Sequence, residues 1–197
     1  MGKIKNLKVY EKCLIVVDMV NGFVREGVLH DDRIVLVIPN QVELIKKYND
    51  EGELVVFIKD THDVDAVEFK RFGNTKHCVR GTSEAQLVDE LLPYEKKDNT
   101  ISIEKNSTSF MEAPEFRKLV SGLVNVRQYD IVGCCTDICD FNGTMGLANY
   151  CDEWNRDVSI NVYQDAIATY SEDIRQEYVD AAYLLMKQQG IKLVRRK

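Results

Sequence analysis

Five consecutive apolar residues, Cys13-Leu14-Ile15-Val16-Val17, run straight into the acid Asp18. A strand with one wet face alternates apolar and polar side chains, whereas a strand covered on both faces is apolar throughout. Such a run belongs inside a parallel sheet with helices on either side. Further strands are predicted at Leu54–Lys59, Thr100–Glu104, Arg127–Val132, Ser159–Tyr163 and Lys192–Val194. Between them, helices are predicted at Val35–Tyr48, Ser83–Leu91, Ala113–Ser121, Asp137–Glu153 and Ser171–Gln189, the last closed by Gly190. The stripe Ile174, Tyr178, Ala181, Leu185 and Met186 on that last helix has the spacing of core packing. Alternating strands and helices without repeats or linkers predict one α/β domain over residues 1–197.

In a parallel α/β sheet the carboxyl ends of the strands share one edge, and ligands bind in the crevice there. Asp18 ends the first strand, Lys105 follows Thr100–Glu104, and Cys139 follows Asp130–Val132 after a break at Gly133. Thr136 or Asp137 can cap a new helix with Cys139 in its first turn, where unpaired N–H groups stabilise a thiolate. Cys139 is therefore a candidate nucleophile, with Asp18 as base and Lys105 as cation. The bland alternatives are a buried inert cysteine, a helix-capping acid and a solvated lysine; three such coincidences at one sheet edge are harder to accept than one.

A second cluster ends the second strand. Asp60-Thr61-His62 puts a carboxylate and an imidazole two residues apart on one side of an extended segment, with Glu68 and His77 following in a polar loop. Two histidines and two carboxylates suit Zn²⁺, Mn²⁺ or Fe²⁺, although ordinary surface charges give the same spacing. Asp63 and Asp65 compete with Glu68 as a ligand. His30, in Leu29-His30-Asp31-Asp32, reads as a surface loop residue.

Several classes are disfavoured. A net charge of −6 and a pI near 5.2 argue against nucleic-acid or anionic-membrane partners, leaving Arg195-Arg196-Lys197 as a solvated tail. The first twelve residues hold no apolar signal region, and no stretch is long enough to span a bilayer. Six irregularly spaced cysteines, at 13, 78, 134, 135, 139 and 151, read as reduced thiols in a cytoplasm. No glycine-rich phosphate loop follows the first strand, where Asn21-Gly22-Phe23 stands, so no nucleotide cofactor is expected.

Four blocks together resemble the isochorismatase-like cysteine hydrolases, and within them the nicotinamidases. They are Val16-Val17-Asp18 with Phe23; Asp60-Thr61-His62 continuing to His77-Cys78-Val79-Arg80-Gly81-Thr82; Glu104-Lys105 with Phe110; and Gly133 to Cys139. The resemblance implies a three-layer α/β/α fold with a six-stranded, mainly parallel sheet of order 3-2-1-4-5-6. It implies that Cys139 is the nucleophile, Asp18 the general base and acid, and Lys105 the orienting cation. The backbone N–H groups of Cys135 and Cys139 would form an oxyanion hole, with a cis peptide between Cys134 and Cys135. It further implies one divalent ion, zinc ahead of manganese or iron, held by Asp60, His62, His77 and Glu68. The reaction implied is hydrolysis of a small carboxamide such as nicotinamide through a thioester, in a homo-oligomer. Relatives acting on another carboxamide, an N-carbamoyl compound or an enol ether remain alternatives, as does a thiol redox or binding protein. Three features depart from the family: Asp140 follows the nucleophile, the next helix is unusually polar, and the only tryptophan, Trp154, is far from the metal loop. Phe23, Phe72 or Phe110 would then contact the substrate ring.

Overall fold

The computed structural model describes residues 9–171 and 175–196. Six strands form a single sheet: β1 (Lys12–Val17), β2 (Leu54–Asp60), β3 (Thr100–Lys105), β4 (Gln128–Cys134), β5 (Ser159–Ala168) and β6 (Lys192–Val194). Their order is β3-β2-β1-β4-β5-β6, and every pairing is parallel. The helices are α1 (Asn21–Val24), α2 (Ile38–Asp50), α3 (Glu68–Arg71), α4 (Leu92–Glu95), α5 (Pro114–Gly122), α6 (Phe141–Glu153) and α7 (Arg175–Gln188). Among the described residues, no helix is long and apolar enough to cross a membrane.

The central strand shows why its sequence does not alternate. Cys13, Ile15 and Val17 enter one core with Phe116 and Leu119 of α5, Leu147 of α6 and Met186 of α7. Leu14 and Val16 enter a second core on the opposite face, with Leu44, Ile45 and Tyr48 of α2. Burying each such aliphatic side chain stabilises the fold by about 1.5–3 kcal/mol.

Five local expectations are corrected. The strand β4 does not stop at Gly133 but continues to Cys134, because Gly133 adopts φ 140°. A Cβ there would lie 2.1 Å from the Val17 carbonyl oxygen, so only glycine lets β4 and β1 approach this closely. Helix Ser83–Leu91 is only a 3₁₀ turn over Ser83–Ala85; beyond it the chain is tied to the exit of β1 by Val88 N–H to Met19 O (3.1 Å). The strand β5 is longer than predicted, burying Ala166 and Ile167. On α7 the core-facing residues are Ala182 and Met186, while Tyr178, Ala181 and Leu185 are exposed; Ile174 lies outside the described residues. Finally, Arg196 is no solvated tail residue, since it pairs with Asp165 at 2.9 Å.

Candidate active site and metal centre

Register alone brings the candidate residues together. Asp60 pairs with Lys105 across β2 and β3, while Val17 pairs with both Ile58 and Gly133. Asp18 follows Val17 in the left-handed region (φ 53°), a conformation aspartate tolerates better than most residues. Its N–H is held by the Ile58 carbonyl at 2.9 Å, and its carbonyl accepts from the Cys134 thiol at 3.2 Å. The Cys134–Cys135 peptide is cis.

Lys105 is the hub. Its buried ammonium lies 2.8 Å from Asp18 Oδ2, 2.6 Å from Asp60 Oδ1 and 3.6 Å from Cys139 Sγ. Burial opposes its charge, but Asp18, Asp60 and Cys139 outweigh that and raise its pKa well above the ordinary lysine value. Burial pushes Asp18 up to about 7, with Lys105 pulling down and Asp60 adding to the rise. For Asp60 burial is overcome by Lys105 and His62, which hold it down at about 2. Burial also drives the Cys139 thiol well above its ordinary value despite Lys105. The helix start therefore does not bring this thiol below its ordinary value, and forming a thiolate there would call for a neighbouring base.

The helix start is also built differently from expectation. Thr136–Asp140 forms one π-helical turn that runs into α6, and no side chain caps it. The Asp137 carboxylate turns away to the Thr169 hydroxyl and to Arg175, 3.0 Å from its guanidinium. The next acid, Asp140, is fully buried, and neither carboxylate oxygen has a hydrogen-bond partner among the described residues. Burial, with Asp18 and Asp137 adding, lifts it well above the usual carboxylate range.

Asp60, His62 and His77 converge, each offering a ligand atom within 4.8 Å of the others. His62 Nε2 is 2.8 Å and His77 Nε2 3.5 Å from Asp60 Oδ2. The opposite ring nitrogens are anchored: His62 Nδ1 to Asn106 Oδ1 (2.7 Å) and His77 Nδ1 to the Thr75 carbonyl (3.0 Å). Such outer contacts fix the rings of metal-binding histidines with their free nitrogens inward, so this donor set fits a divalent ion. Glu68 Oε1 lies 3.7 Å from His62 Nε2, whereas Asp63 points outward to Arg80. Sequence reasoning missed Asn106, whose role shows only when β3 sits beside β2, and Phe69, whose ring packs on both histidines at 5.1 and 5.3 Å.

Both clusters open into one cavity of about 230 Å³, lined by Phe23, Phe72, Asp60, Glu68, His77, Cys135 and Cys139. Phe110 is not among its walls. It is fully buried, edge-on to Phe116 at 4.9 Å, and fills the space where a Cβ on Gly143 would stand. His30 is exposed, as expected, though its loop rims the cavity. Trp154 is 65% exposed, lies tilted against the Tyr150 ring at 6.2 Å, and is not among the cavity's walls.

Comparison with known proteins bears on this geometry. A model of the isochorismatase domain matches residues 12–197. Nicotinamidase 1 of Arabidopsis thaliana is 28% identical over 141 residues, which cover 66% of this chain and 57% of that protein. The matched part thus spans little more than half the length of that relative. Among solved structures, the pyrazinamidase of Pyrococcus horikoshii in complex with zinc superposes with a TM-score of 0.75 at 25% identity, covering 94% of this chain and 99% of that one. The N-carbamoylsarcosine amidase of Thermoplasma acidophilum shares the fold, with a TM-score of 0.72 at 22% identity over 94% and 96% of the two chains.

Proposed function

The chain belongs to the isochorismatase family of hydrolases, and we propose from that premise that it is a metal-dependent cysteine amidohydrolase converting nicotinamide and water to nicotinate and ammonia. The observation that carries this reading is the position of Lys105, which touches Asp18, Cys139 and Asp60 at once. A redox thiol or a binding module has no need of a buried acid and cation beside its cysteine.

In the proposed reaction Asp18 takes the Cys139 proton and becomes neutral, and the Lys105 ammonium beside Sγ stabilises the thiolate that results. The thiolate adds to the carboxamide carbon. The backbone N–H groups of Cys135 and Cys139 receive the developing oxyanion, each such donor contributing about 3 kcal/mol in the transition state. Asp18 returns the proton to the leaving nitrogen, releasing ammonia and a thioester on Cys139. Asp18 then deprotonates a water that cleaves the thioester, regenerating the thiol and freeing the acid. Phe23 and Phe72 flank the ring and orient the amide toward Cys139. Asp60, His62 and His77, with Glu68, would hold a divalent ion, which would supply a Lewis acid for a nitrogen-containing ring in the cavity.

A metal-independent hydrolase of another carboxamide or an N-carbamoyl compound is the second reading, favoured by the cavity's walls, which do not include Trp154. Metal analysis combined with ammonia release separates the two. The proposal expects about one divalent ion per chain, loss of nicotinamide turnover on chelation, and recovery with Zn²⁺, Mn²⁺ or Fe²⁺. Nicotinamide turnover that survives complete metal removal overturns the metal dependence; hydrolysis of an N-carbamoyl compound but not nicotinamide overturns the substrate.

A further inference from the structure

Most polar groups on the cavity walls already have work to do. Cys135 and Cys139 belong to the chemistry, and Asp60 and His77, with Glu68, to the metal centre. Asp31 is engaged on both carboxylate oxygens. One accepts from the Ser171 backbone N–H and hydroxyl at 2.8 and 2.7 Å, the other from the Arg33 N–H at 2.9 Å. His30 stands on the same wall with one ring nitrogen uncommitted.

Which nitrogen that is follows from its neighbour. His30 Nδ1 lies 2.8 Å from the Gly27 carbonyl oxygen. A carbonyl only accepts, so Nδ1 carries the hydrogen, and in the neutral ring Nε2 presents a lone pair. Nδ1 faces back into its own turn, which directs Nε2 away from it. Among the described residues Nε2 has no hydrogen-bond partner. The turn that carries the ring is itself fixed. Gly27 has φ 87°, which favours glycine, and Glu84 Oε1 lies 2.7 Å from where a Cβ would stand. Glu84 is held in turn, its Oε2 accepting from the Cys78 N–H at 2.9 Å beside His77. At the other end of the turn, the Asp31 N–H donates to the Phe23 carbonyl at 3.0 Å. An acceptor held in place before binding meets its donor with little further ordering cost.

We propose that His30 is a specificity-determining residue, and that the preferred substrate is a ring carboxamide bearing an N–H or O–H donor on the edge remote from its amide. The amide lies at Cys139, the ring passes Phe23 and Phe72, and the donor reaches His30 Nε2 at the rim. Val28 and Leu29, which line the cavity from the same loop, have side chains that accept nothing, so His30 reads polarity there. The inference rests on the amidohydrolase reading and narrows its substrate class.

The test uses the metal-loaded enzyme at mildly alkaline pH, with nicotinamide and with paired pyridine-3-carboxamides carrying an amino or a methyl group at the same ring carbon. The two substituents are alike in size, and only the amino group donates. The readout is the amino-to-methyl ratio of kcat/KM in the wild type, compared with the same ratio in His30→Leu. That comparison cancels the substituent's electronic effect on the amide. At the ring position facing the rim the wild-type ratio is expected to be larger by about threefold or more, chiefly through KM. His30→Gln, whose amide oxygen can accept, should retain part of the preference, whereas a merely structural role would lower both members of a pair alike. An amino-to-methyl ratio equal in wild type and His30→Leu at every ring position, with nicotinamide still hydrolysed, overturns the role of His30 and leaves the amidohydrolase reading standing. Failure of the wild type to hydrolyse nicotinamide or any of the pairs overturns that reading, and the assignment of His30 falls with it.

Discussion

Lys105 and Asp60 form a buried ion pair at 2.6 Å. The contact joins two clusters that the sequence presents separately: an acid, cation and thiol at one set of strand ends, and a ligand set beginning at Asp60. Asp60 consequently serves both, offering one oxygen to Lys105 and the other to the histidines.

Removing Lys105 is expected to damage stability as well as chemistry. Lys105→Met leaves Asp18 and Asp60 buried without their cation, a change that costs about 3–5 kcal/mol in comparable buried pairs. Turnover should fall by several orders of magnitude. Asp18→Asn should lose as much activity while keeping most of the stability, because the three groups act as a unit and their losses do not add. Denaturant unfolding and steady-state kinetics check both; a near-normal rate in Asp18→Asn would show that another group is the base.

The acid limb of the pH profile should report Asp18. Burial raises it to about 7, and only its ionised form can accept the Cys139 proton. Thus kcat/KM is expected to rise with pH up to about 7 and then level off. A profile already flat well below that value would assign the proton transfer elsewhere.

Asp140 should oppose stability at neutral pH. Its folded pKa lies above its unfolded one, so stability from this group is full below the unfolded pKa and declines as pH rises through the folded value. Asp140→Asn keeps the shape and removes the titration. The variant should therefore gain in Tm over the wild type, and gain more at pH near 8 than near 4. An equal difference at both values would contradict the raised pKa of Asp140.

Gly143 is expected to resist the change that helix propensity favours. Alanine is better in a helix by about 1 kcal/mol, yet its Cβ would stand 2.1 Å from the Phe110 ring. Overpacking of this kind costs about 1–3 kcal/mol. Gly143→Ala should thus destabilise the protein and slow turnover by displacing the helix that begins beside Cys139. Adding Phe110→Leu should recover part of both, measured by thermal unfolding and kcat.

Much of the architecture was legible because its signals are local. The apolar run at Cys13–Val17, buried on both faces, identified the central strand, and the acid or cation closing each of the first three strands marked the reactive edge. What the sequence hid is tertiary. Leu87, Val88 and Leu91 have helical spacing, but backbone bonds to the exit of β1 hold Gln86 to Val88 there, and the chain then turns at Leu91. Phe110 resembles a ring-binding aromatic until the glycine gap on α6 shows what it fills. The stripe on α7 was misread because its apolar residues continue round to a face that the fold leaves beside the cavity. Asn106 was missed for the same reason, since only the β2–β3 register brings it to His62.

The central claim is that Cys139 is the attacking group in a metal-loaded amidohydrolase. Its most direct test is ammonia release from nicotinamide by wild type, Cys139→Ala and Cys134→Ala at equal metal content. The account predicts sustained release from the wild type, measurable release from Cys134→Ala, and none above background from a folded Cys139→Ala. Ammonia release from Cys139→Ala at a rate near that of the wild type would contradict it.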